Sequence, residues 1–250
     1  MALQNRPIDG PRTVTATELA QMIDISAVQA FHTEHDVRKL ARHALDGGFV
    51  AAHALPHFVP ILRELIPVGG TTLVGGPVGF PSGGHATSTK LAEARTLVAD
   101  GAEELDMMIN VGRLKSGHLK YVADEIRAVV ETIAPVPLKV ILEVLHLSDD
   151  EIRYGCDCAV AGGAAFVKTG TGWTASGTTP ARVALICDAV RGRAQVKASG
   201  GIRDLATIAA MICSGVSRFG INTQVARDLV LQCAALPGGA LEIRPAAVQA

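Results

Sequence analysis

A chain of 250 residues, 48% hydrophobic, is long enough to bury one large core or two small ones, and 23 basic residues against 24 acidic ones leave it nearly neutral. That balance excludes a nucleic-acid or membrane-surface partner recruited by bulk charge, and aromatic residues at 4% are too few for a base-stacking platform. The five cysteines (Cys156, Cys158, Cys187, Cys213 and Cys233) are odd in number and mostly fall at apolar helical positions, which reads as reduced core thiols; Cys156 and Cys158 lack a second ligand pair for a metal. No run of 18 apolar residues occurs and residues 1–12 have no signal-peptide core, so a soluble, cytoplasmic protein is expected.

Residues 1–14 carry two prolines and little periodicity and read as a loose lead-in. Thr17–Met22 predicts a short helix, and the first strand follows through Asp24 and Ser26. Thr33 with Asp36 three residues later is close to a capping box, and Val37, Leu40, Ala41, Ala44 and Leu45 keep helical spacing up to Gly47-Gly48. A second strand ends at His53, and Pro56 opens a helix to Leu65. Strand three spans 71–78 and feeds the loop Gly79-Phe-Pro-Ser-Gly-Gly84; Thr87 is expected to cap the helix that follows.

Strand four is Glu104–Ile109, and a helical stripe runs from Val122 to Ile133. Strand five is Leu138–Glu143. Ser148 with Glu151 is a capping box. Strand six ends on Lys168 and runs into Thr169-Gly-Thr-Gly172; strand seven ends on Lys197 and runs into Ala198-Ser-Gly-Gly201. Helices are expected over Thr179–Val190 and around Ile208 and Ile212. An eighth strand lies at Ser217–Gly220, a closing helix passes through Val225, Leu229 and Cys233, and residues from Pro237 form a tail. Eight strand-then-helix units with no linker between them predict an α/β fold, a single (β/α)8 TIM barrel over residues 1–250; a doubly wound open sheet is the second choice.

Barrel strands alternate inward and outward residues, with chemistry at their carboxyl ends. Glu104 and Asp106 share one phase of strand four. Lys139, Ile141 and Glu143 share one phase of strand five, Phe166 and Lys168 of strand six, Gln195 and Lys197 of strand seven. Charges of both signs are thus aimed into one mouth. A purely structural ion-pair network would also gather them, since buried charges must be paired. An isolated lysine is a free amine about once in a thousand at neutral pH. Burial and a neighbouring ammonium lower its pKa, and the resulting amine can attack a carbonyl and form a Schiff base. The protonated imine then accepts the electron pair of a breaking carbon–carbon bond, with Asp106 or the second lysine moving protons. No metal or other cofactor is needed. Glycine loops after consecutive strands, through Gly172, Gly200, Gly201 and Gly220, supply backbone N–H groups suited to a phosphate.

The segments Glu104-Leu-Asp106-Met-Met-Ile-Asn110, Phe166-Val-Lys168-Thr-Gly-Thr-Gly172, Val196-Lys197-Ala-Ser-Gly-Gly-Ile-Arg203 and Arg218-Phe-Gly220, with Gly79-Phe-Pro81 and Leu138–Glu143, resemble the deoxyribose-phosphate aldolase family. The resemblance implies a cytoplasmic class I aldolase, often a homodimer, that reversibly cleaves 2-deoxy-D-ribose 5-phosphate to acetaldehyde and D-glyceraldehyde 3-phosphate. It implies Lys168 as the Schiff-base lysine, Lys197 as the cation that tunes it and Asp106 as the proton relay. The sugar phosphate would be held by Asp24, Ser26, Lys139, Thr171, Gly172, Gly200, Gly201, Gly220, Asn222 and Thr223. The chain departs from the family pattern at Ser26, His53, Ser82-Gly-Gly-His85, Trp173 and Asn222-Thr223, and its tail has no tyrosine, so it reads as a divergent member. His53, His85 and His146 are candidates for lining an altered pocket, or are ordinary surface and supporting histidines. Two further readings stay open: a related Schiff-base aldolase for another aldehyde or an unphosphorylated sugar derivative, and a sugar-phosphate-binding barrel without turnover.

Overall fold

The structure, a computed structural model, describes residues 10–244. In chain order the elements are β1 (Arg12–Thr15), α1 (Ala16–Ala20), β2 (Ile23–Ala27), α2 (Glu34–Asp46), β3 (Ala51–Ala54), α3 (Val59–Leu65), β4 (Leu73–Val78), α4 (Thr87–Ala99), β5 (Glu104–Met108), α5 (Val111–Lys115) and α6 (Leu119–Ile133). There follow β6 (Leu138–Ile141), α7 (Asp149–Ala161), β7 (Phe166–Lys168), α8 (Pro180–Val190), β8 (Gln195–Ser199), α9 (Leu205–Cys213), β9 (Arg218–Ile221), α10 (Thr223–Ala234) and β10 (Ala240–Ile243). Strands β2 to β9 close into an eight-stranded barrel, each parallel to its neighbour, with β9 returning to β2 through Asp24–Gly220. This is the predicted TIM barrel.

Parity divides the molecule. The outward phase of the strands is apolar: Ile25, Val74, Leu105, Val140, Val167, Val196 and Phe219 are fully buried beneath the helices, and this layer forms the core. The inward phase carries the charges. Several helices start where their sequences say they should. Thr33 and Ser148 head reciprocal capping boxes with Asp36 and Glu151, and Thr179 accepts from the Arg182 N–H ahead of Pro180.

Four local expectations change. Residues 12–15 are a strand rather than lead-in, and the tail from Pro237 contains its partner. β1 and β10 pair antiparallel, with Val14 facing Leu241 across the ladder, and Val14, Leu241 and Ile243 are buried. Four-residue strands are too short to show alternation in sequence, and only pairing between the chain ends defines them. The rest of the predicted lead-in and tail, residues 1–9 and 245–250, lies outside the described residues. Ala86, not Thr87, occupies the cap position of α4, because the Thr87 hydroxyl is taken by the Glu125 carboxylate at 3.0 Å. Helix α5, one turn capped by Asn110, is too short for a periodic signal. Strand β6 stops at Ile141, and Glu143 turns out of it in the left-handed region at φ 56°. Among the described residues, no helix is long and apolar enough to cross a membrane.

Candidate active site

Strand register delivers the charged side chains to one level. Lys168 and Lys197 are paired neighbours on β7 and β8, Asp106 pairs with Lys139 across β5 and β6, and Lys197 pairs with Arg218 on β9. Across the barrel axis the pairs become contacts. Asp106 Oδ2 accepts from Lys168 Nζ and Lys197 Nζ, each at 2.7 Å. Lys197 also lies 2.6 Å from Asp24 Oδ2. Lys139 Nζ reaches Glu104 at 2.5 Å and Asp106 Oδ1 at 3.1 Å. These Lys139 contacts are charge contacts rather than well-aligned hydrogen bonds, because neither Lys139 Nζ nor Asp106 Oδ1 finds a directed partner. Arg218 closes the circle, donating to Asp24 at 2.8 Å and to both oxygens of Glu104. Its guanidinium and the Lys139 ammonium each lie 5.7 Å from the centre of the Phe166 ring.

The strand ends are stitched so that the lysines stay in place. The Thr169 hydroxyl donates to the Ser199 carbonyl and accepts the Ser199 N–H, both at 2.8 Å, and the Ser199 hydroxyl donates to the Gly170 carbonyl. Glu143 accepts from the backbone N–H and the hydroxyl of Thr171, fastening the loop after β7 to the end of β6. Gly170 lets Glu143 come close, since an added Cβ would lie 2.6 Å from Glu143 Oε1 and force that carboxylate to shift. Glu143 therefore braces a loop and does not join the lysines in the mouth, as its strand phase had suggested.

Burial and neighbours set the protonation states. Burial pushes the Lys168 ammonium down to about 8; Asp106 opposes this, and Lys197 and Lys139 reinforce it. Lys197 is just as buried, yet its pKa rises, because Asp106, Asp24 and Glu104 together outweigh the desolvation. Burial opposes ionisation of the three carboxylates, but the cations win. Glu104 is held at about 2, chiefly by Lys139, and Asp24 and Asp106 lie well below the usual range. Three carboxylates face four cations, so the proton whose loss balances the cluster is the one on Lys168.

Of the residues anticipated from sequence, Asp24, Asp106, Lys139, Lys168 and Lys197 meet in this cluster. Gly172, Gly200 and Gly201 take positive φ in the loops above it, and Gly220 leaves room for Lys197, whose Cε would lie 3.3 Å from an added Cβ. Thr171 is buried and its hydroxyl is engaged by Glu143. Ser26, Asn222 and Thr223 line a cleft to one side, against His32, Asp36, Lys39 and His43 of α2 and the loop before it. There the Asn222 side chain caps α10 by accepting the Gln224 N–H at 3.0 Å.

Sequence reasoning gave Arg218 no part in the site, set Glu104 in the mouth by parity without assigning it a role, and had His53 only as a candidate for lining the pocket. Extending inward parity to strands two and eight would have brought in His53 and Arg218. The His53 ring fits a hole left by Gly75, where a Cβ would approach the ring to 2.3 Å, and its Nε2 lies 2.9 Å from Glu104. His85 and His146 are exposed and do not join it. Among the described residues, Asp24, His53 and Glu104 are the group with metal-ligand spacing. An ion there would have to displace Lys139, Lys197 and Arg218, which already neutralise those carboxylates.

The model of the DeoC/LacD aldolases matches residues 19–220, a span that takes in every strand of the barrel but the last residue of β9. This chain belongs to the DeoC/LacD aldolase family. The deoxyribose-phosphate aldolase of Rhizobium meliloti (strain 1021) is 66% identical over 93% of this chain and 94% of its own. That of Klebsiella pneumoniae subsp. pneumoniae is 46% identical over 88% and 90%. The solved structure of the aldolase QR15 superposes with a TM-score of 0.81 at 32% identity, over 86% of this chain and 97% of that one. Membership makes the protein an aldolase, an enzyme that breaks and forms carbon–carbon bonds. Identity at this level also corrects the expectation of a divergent member: the departures noted in the sequence are local ones within an ordinary representative of the family.

Proposed function

We propose that the protein is a class I aldolase that reversibly cleaves 2-deoxy-D-ribose 5-phosphate to acetaldehyde and D-glyceraldehyde 3-phosphate, with Lys168 as the covalent residue. The observation that carries this reading is the Lys168–Asp106–Lys197 contact at 2.7 Å on both sides, with the Lys168 pKa at about 8. Asp106 takes the proton of the Lys168 ammonium. The free amine adds to C1 of the open-chain sugar, and the carbinolamine loses water to give an iminium ion. Asp106, having returned its proton to the departing water, takes the proton of the C3 hydroxyl; the C2–C3 bond breaks, and its electron pair moves into the iminium to form an enamine. Glyceraldehyde 3-phosphate leaves. Protonation of the enamine carbon and addition of water to the imine release acetaldehyde and restore the amine.

Lys197 stays charged throughout. It depresses the Lys168 pKa and holds Asp106, the proton relay, against the reacting atoms. The backbone of Gly172, Gly200, Gly201 and Gly220 receives the phosphate, with Asn222 and Thr223 at the neighbouring helix start. Asp24, Ser26, Lys139 and Thr171 support the sugar hydroxyls directly or through the network. The same proposal includes a homodimer, checked by light scattering of the eluting protein. It also includes a cytoplasmic location, which five unpaired cysteines favour.

Borohydride reduction in the presence of acetaldehyde should leave a two-carbon adduct on Lys168, read by peptide mass spectrometry. A retro-aldol assay should favour 2-deoxyribose 5-phosphate over 2-deoxyribose by about a hundredfold or more in kcat/KM, on the scale of a lost charge-assisted contact. An active Lys168→Ala variant would overturn the mechanism, and equal rates on the two sugars would overturn the phosphate assignment.

A further inference from the structure

Trp173 is the only tryptophan in the chain, and the reaction just described makes no use of it. Its backbone belongs to the loop after β7, where its N–H donates to the Thr171 hydroxyl at 3.0 Å. Its side chain leaves that loop altogether. The indole Nε1–H donates to the Val28 carbonyl in the loop after β2, at 3.2 Å. The ring meets Phe80, in the loop after β4, edge to face at 5.5 Å and 88°.

Strands β2, β4 and β7 are not neighbours; at least one strand separates each pair around the closed barrel. All three loops leave the carboxyl ends of their strands, the end that holds Lys168. A side chain that joins three such loops lies across the mouth. Trp173 as a whole is 38% exposed, so it is neither sunk into the barrel nor free in solvent. The loop that carries it is held at its far end as well: Thr178 N–H donates to the Gly200 carbonyl at 3.1 Å, and Gly177 packs so closely on Gly200 and Gly201 that no Cβ would fit. The sector of the mouth spanned by β8 and β9 presents the backbones of Gly200, Gly201 and Gly220.

We propose that Trp173 is a specificity-determining residue: its indole roofs the mouth between the loops after β2, β4 and β7, limits the bulk of the aldehyde chain that fits beneath it, and turns a phosphate-bearing chain toward the glycine loops after β8 and β9. The proposal rests on the aldolase reading of the same site. It is tested in the synthetic direction, with acetaldehyde as donor and either glyceraldehyde 3-phosphate or the branched 2-methylpropanal as acceptor. In Trp173→Ala the kcat/KM ratio of 2-methylpropanal to glyceraldehyde 3-phosphate should rise about tenfold or more, the scale on which a pocket discriminates apolar groups. Trp173→Phe keeps the edge contact with Phe80 and loses the bond to Val28, and its ratio should fall between those of the wild type and the alanine variant. In the wild type, the fluorescence of this lone indole should change as glyceraldehyde 3-phosphate is titrated in. Ratios unchanged in both variants, with the borohydride adduct on Lys168 intact, would overturn the roof and leave the aldolase standing. Absence of the adduct in the wild type would overturn both.

Discussion

Lys168 is caught between opposing effects. Burial and two neighbouring ammonium groups drive its proton off, and Asp106 holds it on, with the balance at about 8. At pH 7 about one lysine in ten is then a free amine, far more than an exposed lysine supplies. The kcat/KM for retro-aldol cleavage should therefore rise with pH and level off above an inflection near 8. The two partners move that inflection in opposite directions. Asp106→Asn removes the charge that raises the Lys168 pKa, so the inflection falls, and kcat drops by about 10²–10⁴ as the proton relay is lost. Lys197→Met removes a cation and leaves Asp106 shared only between Lys168 and Lys139, so the inflection climbs. A pH–rate profile of each variant checks the signs; equal shifts in the same direction would contradict this account of the site. The lysines and Asp106 were legible as residues, because strand-end lysines before glycine loops are conspicuous. Arg218 was quoted as part of a motif but given no task, since a single arginine on a four-residue strand announces nothing until the barrel closes β9 against β2.

At the scale of the element, the inward face works by complementary shapes as well as charges. His53 on β3 occupies the volume that Gly75 on β4 leaves free, and the two residues are paired in register. Gly75→Ala should expel the ring from its position beside Glu104 and lower stability by about 1–3 kcal/mol, the usual cost of overpacking. His53→Ala leaves a hole beside Glu104, whose carboxylate keeps Arg218 and Lys139. Because an alanine at 75 fills part of that hole, the double variant should be less destabilised than the sum of the singles. Urea denaturation of the four proteins closes the cycle, and strict additivity would show that the two sites do not share the space. The helices of the barrel were more legible than its strands. Capping boxes at Thr33 and Ser148 are local, each built by residues three apart. Short strands buried on both faces show no alternation of polarity except where the charged cluster intrudes.

The whole molecule joins two sheets: the barrel and the antiparallel pair β1–β10 that ties the ends of the described chain together beside α9 and α10. Ile243 is fully buried there. Ile243→Ala should cost about 2–4 kcal/mol, seen as a lower melting temperature, with kcat/KM unchanged because the pair lies apart from the charged cluster; a loss of activity in folded protein would show that the terminal sheet positions the site. The cluster has its own signature in acid. Asp24, Glu104 and Asp106 titrate lower in the folded state than in the unfolded chain. Their contribution is complete above the unfolded carboxylate range near pH 4 and is lost as pH falls through the folded values, about 2 for Glu104. Denaturant midpoints should therefore drop steeply between about pH 4 and pH 2, and less steeply in Glu104→Gln if that variant folds with the same midpoint at pH 7. A wild-type midpoint flat across that range would contradict the pairing.

The sequence by itself determined the beat of eight strand–helix units, the helix starts, and the identity of the residues that carry charge at the strand ends. These depend on neighbours within a few positions, through capping geometry and side-chain alternation. Only the tertiary structure decided who meets whom. Asp106 reaches Lys197, 91 positions away, because barrel closure places β5 across from β8. The terminal strands exist because the chain ends meet. Asn222 caps a helix, and Trp173 spans three loops that are far apart in the chain. Contacts between residues distant along the chain are set by closure of the sheet and by the space each side chain leaves for the next, and neither is encoded in local spacing.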